Sequence, residues 1–121
     1  MLNQIKVSPV NSLLFMTDAG GGIPPEPVWG AKIQSTPTCI SFACFPEQDG
    51  PTDIVLGPRN EIKPTTFLVF QGDLVTPSRV VVLHTAAQER VLSVNVAKVK
   101  TAVCIWYSHP KWPDKVTISL D

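Results

Sequence analysis

Twelve prolines, about double the average share of roughly 5%, fall almost entirely in the gaps between short apolar runs of this 121-residue chain. About nine such runs, rich in Val, Ile, Phe and Thr, alternate with breaker clusters, which is the pattern of an all-β domain. The breakers are Gly20 to Pro27, Pro46 to Pro51, Gly57 to Pro64, Gly72 to Pro77 and His109 to Pro113. Proline cannot donate to a β-ladder, so these clusters mark where strands stop.

The runs differ in what they ask of their surroundings. In Val91 to Val96 and in Val116 to Leu120, apolar residues alternate with Ser, Asn or Thr, as strands do when one face is buried. Arg79 to His84 carries Val80 to Leu83 in succession, and Ala102 to Tyr107 is apolar throughout. Those two read as strands covered on both faces or lying at the centre of a sandwich. Thr38 to Phe45, Thr66 to Phe70, Leu13 to Met16 and Thr52 to Leu56 complete the set. One stretch competes, because Thr85-Ala86-Ala87-Gln88 matches a capping box and would open a helix running to about Lys98. Val91, Val94, Val96 and Val99 fit a strand better, with residues 86–89 as a turn.

The expected architecture is a single domain spanning 1–121, an antiparallel β-sandwich of about eight or nine short strands. Ten basic and ten acidic side chains cancel, so the chain as a whole lacks the long-range field that draws proteins to nucleic acid or anionic lipid. Low charge near neutrality also favours self-association, and a homo-oligomer is a further expectation. No secretory leader and no apolar run of about 18 residues is visible. Three cysteines make a disulfide framework a poor fit and point to a reducing compartment, by default the cytoplasm.

Chemical motifs fail one after another. Gly20-Gly21-Gly22 is followed by Ile23-Pro24-Pro25 rather than by the Lys-Ser/Thr or helix of a phosphate site, and reads as a flexible loop. Cys39 and Cys44 lie five apart on one expected strand and so point to opposite faces, which disfavours a shared metal. Either one could approach Cys104 on a neighbouring strand. His84 closes an apolar run as a strand-end residue, and no Gly-x-Ser-x-Gly occurs. The expectation is a non-enzymatic protein with no cofactor and no metal.

Two loops remain. Trp29 follows Pro24-Pro25-Glu26-Pro27-Val28, whose prolines favour an extended backbone that costs little entropy to bind. Trp112 lies within His109-Pro110-Lys111-Trp112-Pro113-Asp114. A rigid aromatic flanked by charge is the chemistry of an interface anchor, and a lid over the end of the core is the competing role for both tryptophans. Trp106 is assigned to the core.

The order of features resembles that of the competence J-like proteins. The carriers are Trp29 in an early proline-containing loop, Cys39-Ile40-Ser41-Phe42, Arg79-Val80-Val81-Val82, Val91 to Val96 and Cys104-Ile105-Trp106. The resemblance spans about Leu13 to Tyr107 and implies a small bacterial β-sandwich, with inhibition of a DNA-uptake nuclease as one known role of the family. It carries over no functional residue. Such inhibitors commonly mimic phosphate with surplus carboxylates, whereas Glu47, Asp49 and Asp53 form only a modest acidic cluster here. The expected partner surface is therefore Glu26, Pro27, Trp29, Glu47, Asp49, Asp53, His109, Lys111, Trp112 and Asp114, directed at another protein. A small-molecule or carbohydrate binder using a surface Trp with Asp114 or His109 is the alternative, and a self-assembling subunit the third reading.

Overall fold

The computed structural model of the protein describes residues 2–28, 30–64 and 67–121, the side chains of Val10 and Glu47 excepted. Ten strands run through the described residues. They are β1 (Asn3–Val7), β2 (Leu13–Asp18), β3 (Ile33–Thr36), β4 (Cys39–Ala43) and β5 (Thr52–Pro58), then β6 (Phe67–Val75), β7 (Val80–His84), β8 (Arg90–Asn95), β9 (Lys100–Tyr107) and β10 (Lys115–Leu120). They form a first sheet in the order β1-β5-β10-β9-β6 and a second in the order β3-β4-β2-β7-β8. The all-β sandwich expected from the breakers is the fold observed.

Between the sheets lies the apolar core. Leu14, Met16, Ile40, Phe42, Val81 and Leu83 of the second sheet meet Ile54, Leu56, Val103, Ile105, Val116 and Ile118 of the first. Tyr107 is fully buried in the same layer, and its hydroxyl accepts a hydrogen bond from Ala43 N across the two sheets at 2.9 Å. Burial pushes that phenol well above its usual range, so it stays a neutral hydrogen-bonding group.

Several local expectations are corrected. The sandwich is antiparallel except for one pair, β5 with β10, which run parallel from Lys115↔Asp53 to Leu120↔Pro58. β1 and β3 were not anticipated, because Asn3-Gln4-Ile5-Lys6-Val7 and Ile33-Gln34-Ser35-Thr36 are too polar to register as strands. Both are edge strands, where polar side chains face solvent. β6 runs through Gly72 to Val75 instead of stopping at Phe70. A Cβ at Gly72 would meet the Phe70 ring at 2.9 Å, so the aromatic two residues back covers the glycine and lets the strand continue. Residues 85–89 form a turn, not a helix start. Gln88 N donates to Thr85 O, Thr85 N donates to Glu89 O, and Gln88 takes a left-handed φ of 65°. That geometry accompanies the register shift at Leu83/His84.

Two connections then cover outward faces. β2 and β3 both pair antiparallel with β4 and so run the same way, which forces residues 19–32 to return along the whole flank of the second sheet. β5 and β6 are separated by β10 and β9, so the connection that starts with residues 59–64 must cross the outer face of the first sheet. This explains why Val80 to Leu83 and Ala102 to Tyr107 can be apolar without interruption. Val82 faces outward yet is buried, and so is Trp106, which lies outside the inter-sheet core under the Arg59 guanidinium at 5.3 Å. It also corrects the expectation of one buried face for β10. Thr117 and Ser119 point away from the core and are both buried, and Thr117 Oγ1 has no hydrogen-bond partner among the described residues.

Candidate functional site

One end of the sandwich gathers most of the sequence-singled residues. The registers Val7↔Thr52, Lys115↔Asp53 and Ile33↔Phe42 place residues 8–12, 30–32, 44–51 and 108–114 together there. Backbone bonds from Cys44 N to Ser12 O and from Ala43 N to Lys32 O, with Phe45 N donating to Thr52 Oγ1, tie the loops across the two sheets.

The turn after β9 is built almost entirely from its own hydrogen bonds. His109 Nδ1 accepts from the backbone N–H groups of Lys111 and Trp112, at 3.1 and 3.0 Å. Ser108 Oγ donates to Asp114 Oδ1 at 2.8 Å and accepts from Lys115 N at 3.1 Å. Asp114 O accepts from Asp53 N, joining the turn to the start of β5. Pro113 is buried while Trp112 is left 53% exposed, so the turn holds the indole outward. Lys32 Nζ lies over that indole, 5.0 Å from the ring centroid. Such a contact is worth roughly 0.5–1 kcal/mol at an exposed site, and here it joins the end of the 19–32 segment to the Trp112 turn.

The remaining candidates divide. Lys111 and Asp49 are exposed at this end. Asp53 lies in β5 rather than in a loop, and both its carboxylate oxygens accept from Gln4 Nε2, at 2.9 and 3.0 Å. Asp53 and Asp114 are thus bound up in the protein's own hydrogen bonds. Glu47 opens a short 3-10 turn, Glu47–Asp49. Glu26 and Pro27 are exposed partway along the return segment, where Glu26 O accepts from Gln34 Nε2. Trp29 lies outside the described residues. Lys32 was missed by sequence reasoning, since its partner is eighty positions away and no local pattern signals the pairing.

The return segment is fastened by side chains instead of a β-ladder. Ile23 N donates to Thr38 Oγ1, Thr36 Oγ1 to Ile23 O, and Val28 N to Gln34 Oε1. Gly22 is packed so closely that a Cβ there would run into the Thr38 carbonyl. At its start, the buried Asp18 carboxylate accepts from Gly20 N on one oxygen and from Ser78 N and Oγ on the other. Burial alone would raise its pKa, but the Ser78 and Gly20 hydrogen bonds outweigh it and hold the group below the ordinary aspartate value. The glycine triplet is thus the bonded root of a strap.

The cysteines are three free thiols. Cys44 is in the core and Cys39 on the outward row of β4, while Cys104 lies on the outer face of the other sheet, away from both. Burial raises Cys39 to about 11 and Cys44 to about 12, so both are neutral packing groups. No cluster of three or more His, Cys, Asp or Glu suited to a metal occurs among the described residues, and no helix there is long and apolar enough to cross a membrane.

The chain superposes on ComJ from Bacillus subtilis, an inhibitor of the DNA degrading activity of NucA, with a TM-score of 0.67 over 99% of this chain and 93% of that one. The two share one fold. Their sequences are 13% identical, so the likeness resides in architecture, and it bears out at that level the resemblance seen in the order of features. No protein-family model matches the sequence, and no curated protein matches it significantly.

Proposed function

We propose that this chain is a non-enzymatic inhibitor that binds another protein through the loop end carrying Trp112. The observation behind this is the construction of that end. A self-bonded turn presents a half-exposed indole with a lysine over its face, and rigid aromatic groups beside a cation are typical interface anchors because little entropy is lost on binding. The ComJ fold, whose representative inhibits a nuclease, supports a DNA-degrading enzyme as the partner class.

The chemistry of the surface qualifies how such a partner would be met. Asp53 and Asp114 are engaged internally, and among the described side chains Trp112, Lys32 and Lys111 stand outward beside Asp49. Recognition then rests on an aromatic and cationic patch meeting apolar and acidic groups of the partner, in place of carboxylates imitating phosphate.

The test is affinity capture of a partner from lysate of the source organism, followed by assay of its DNA-degrading activity with and without added chain. Trp112→Ala should weaken the complex by about 2 kcal/mol, roughly 30-fold, with unchanged unfolding midpoint. If Trp112→Ala and Lys32→Ala both bind and inhibit as the parent does, the loop end is not the interface.

A further inference from the structure

Beside the β7–β8 turn, the return segment meets the second sheet at Gly22 and a gap remains next to that contact. A cavity of about 280 Å³ opens between them, close to the lower bound of roughly 300 Å³ for small-molecule sites. Its floor is a row across three strands, Cys39–Thr17–Val82, set by the registers Thr17↔Cys39 and Thr17↔Val82. All three are nearly fully buried, and the thiol is uncharged, so the floor is made of methyl groups, neutral sulfur and the Thr17 hydroxyl. The next row supplies a wall. Phe15 and His84 stack with ring centroids 5.6 Å apart and planes inclined by 13°, and both rings are only half-buried. Gly21, Gly22 and Pro24 of the return segment close the opposite side.

The polar groups converge on one ligand chemistry. Among the described residues lining the cavity, Arg90 is the sole lysine or arginine, and it has no ion pair with any described residue. One guanidinium N–H donates to Ala19 O at 3.1 Å, and the others of its five are uncommitted. Asp18 is the sole carboxylate among the described lining residues, and its two oxygens already accept three hydrogen bonds. His84 Nδ1 faces Thr85 O at 3.0 Å. A carbonyl can only accept, so the proton sits on Nδ1 and Nε2 is an acceptor in the neutral ring.

The cavity is also held open. The segment rests on the floor at Gly22, where an added Cβ would come within 3.1 Å of Thr17 Cγ2, and its hydrogen bonds to Thr36, Thr38 and Gln34, with Asp18 at its root, fix its course beside the cavity. On the rim, Gln88 keeps a left-handed φ of 65°, an uncommon conformation for a residue other than glycine.

We propose that this cavity is a binding site for a small aromatic carboxylate, its ring against the Phe15–His84 pair and its carboxylate on Arg90. A hydroxyl beside the carboxylate would find His84 Nε2 as acceptor. Neither Lys32 nor Trp112 lines the cavity, so this site stands or falls independently of the proposed partner surface.

The experiment is an amide NMR titration of the full chain with 2-hydroxybenzoate, with 2-hydroxybenzamide and cyclohexanecarboxylate as comparators. Saturable shifts at Thr17, Gly22 and Val82 are expected with 2-hydroxybenzoate, and binding at least about 10-fold weaker with either comparator. Arg90→Gln should reduce 2-hydroxybenzoate affinity to a similar degree while leaving the spectrum dispersed, since Arg90 is exposed. The absence of saturation up to about 10 mM would overturn the proposal. So would equal binding of the amide, which removes the role of Arg90, or of the saturated acid, which removes the role of the rings.

Discussion

The two long connections cover opposite sheets by opposite means. Residues 59–64 close over the first sheet with apolar and cation–π contact, burying Ile62 and setting Arg59 on Trp106. Residues 19–32 are fastened to the second sheet by hydrogen bonds with the side chains of Thr36, Thr38, Gln34 and Asp18, and border a cavity there. Apolar burial is non-directional and draws surfaces together until no space remains. Hydrogen bonds fix a distance, and a strap held by them can stand off from what it covers. The sealed face is structural and the spaced face is available to a ligand.

Substitutions can break this contrast or refine it. Trp106→Ala should be the most damaging, costing about 3–5 kcal/mol in urea unfolding, because it removes the surface on which the crossing segment is seated. An effect below about 1 kcal/mol would mean that the segment is not sealed by apolar contact. Asp18→Ala should cost about 1.5–3 kcal/mol by removing the charge-assisted hydrogen bonds that its carboxylate accepts from Gly20 and Ser78. Because the folded pKa of Asp18 lies below that of an unfolded aspartate, near 3.9, its contribution is complete above that value and fades as pH falls through the folded one. Stability measured from pH 6 down to about pH 2 should therefore decline less steeply in Asp18→Ala than in the parent. Gly22→Ala should cost about 1–2 kcal/mol, as the segment must lift from the Thr38 carbonyl. Faster amide exchange at Ile23 and Val28, with β7 and β9 unchanged, would locate that effect in the strap. Thr117→Val is the smallest and has the reverse sign, raising stability by about 1 kcal/mol by removing an unbonded buried hydroxyl.

The contrast also shows what could be read from residues alone. Uninterrupted apolar runs at Val80 to Leu83 and Ala102 to Tyr107 correctly demanded cover on both faces, because exposed valines and tryptophan would be costly. The identity of the cover was not legible, since it comes from segments whose own residues are polar or proline-rich. β1 and β3 escaped notice because edge strands need few apolar side chains, and β6 because the Phe70 ring compensates for Gly72. At the candidate surface, prolines and spacing marked the His109 to Asp114 turn. The contacts Lys32–Trp112, Arg90–Ala19 and Asp18–Ser78 join residues sixty or more positions apart, and no local pattern records them.

The parallel pairing of β10 with β5 has a consequence for the order of events during synthesis. β10 lies between β5 and β9, so until its six residues leave the ribosome the first sheet exists as two halves, β1-β5 and β9-β6, each with an unpaired inner edge. Strand edges of that kind recruit other chains, and pairings this distant along the chain form slowly. Until β10 docks, the folding chain is open to misassociation at those two inner edges, and a chaperone that shields strand edges would act there.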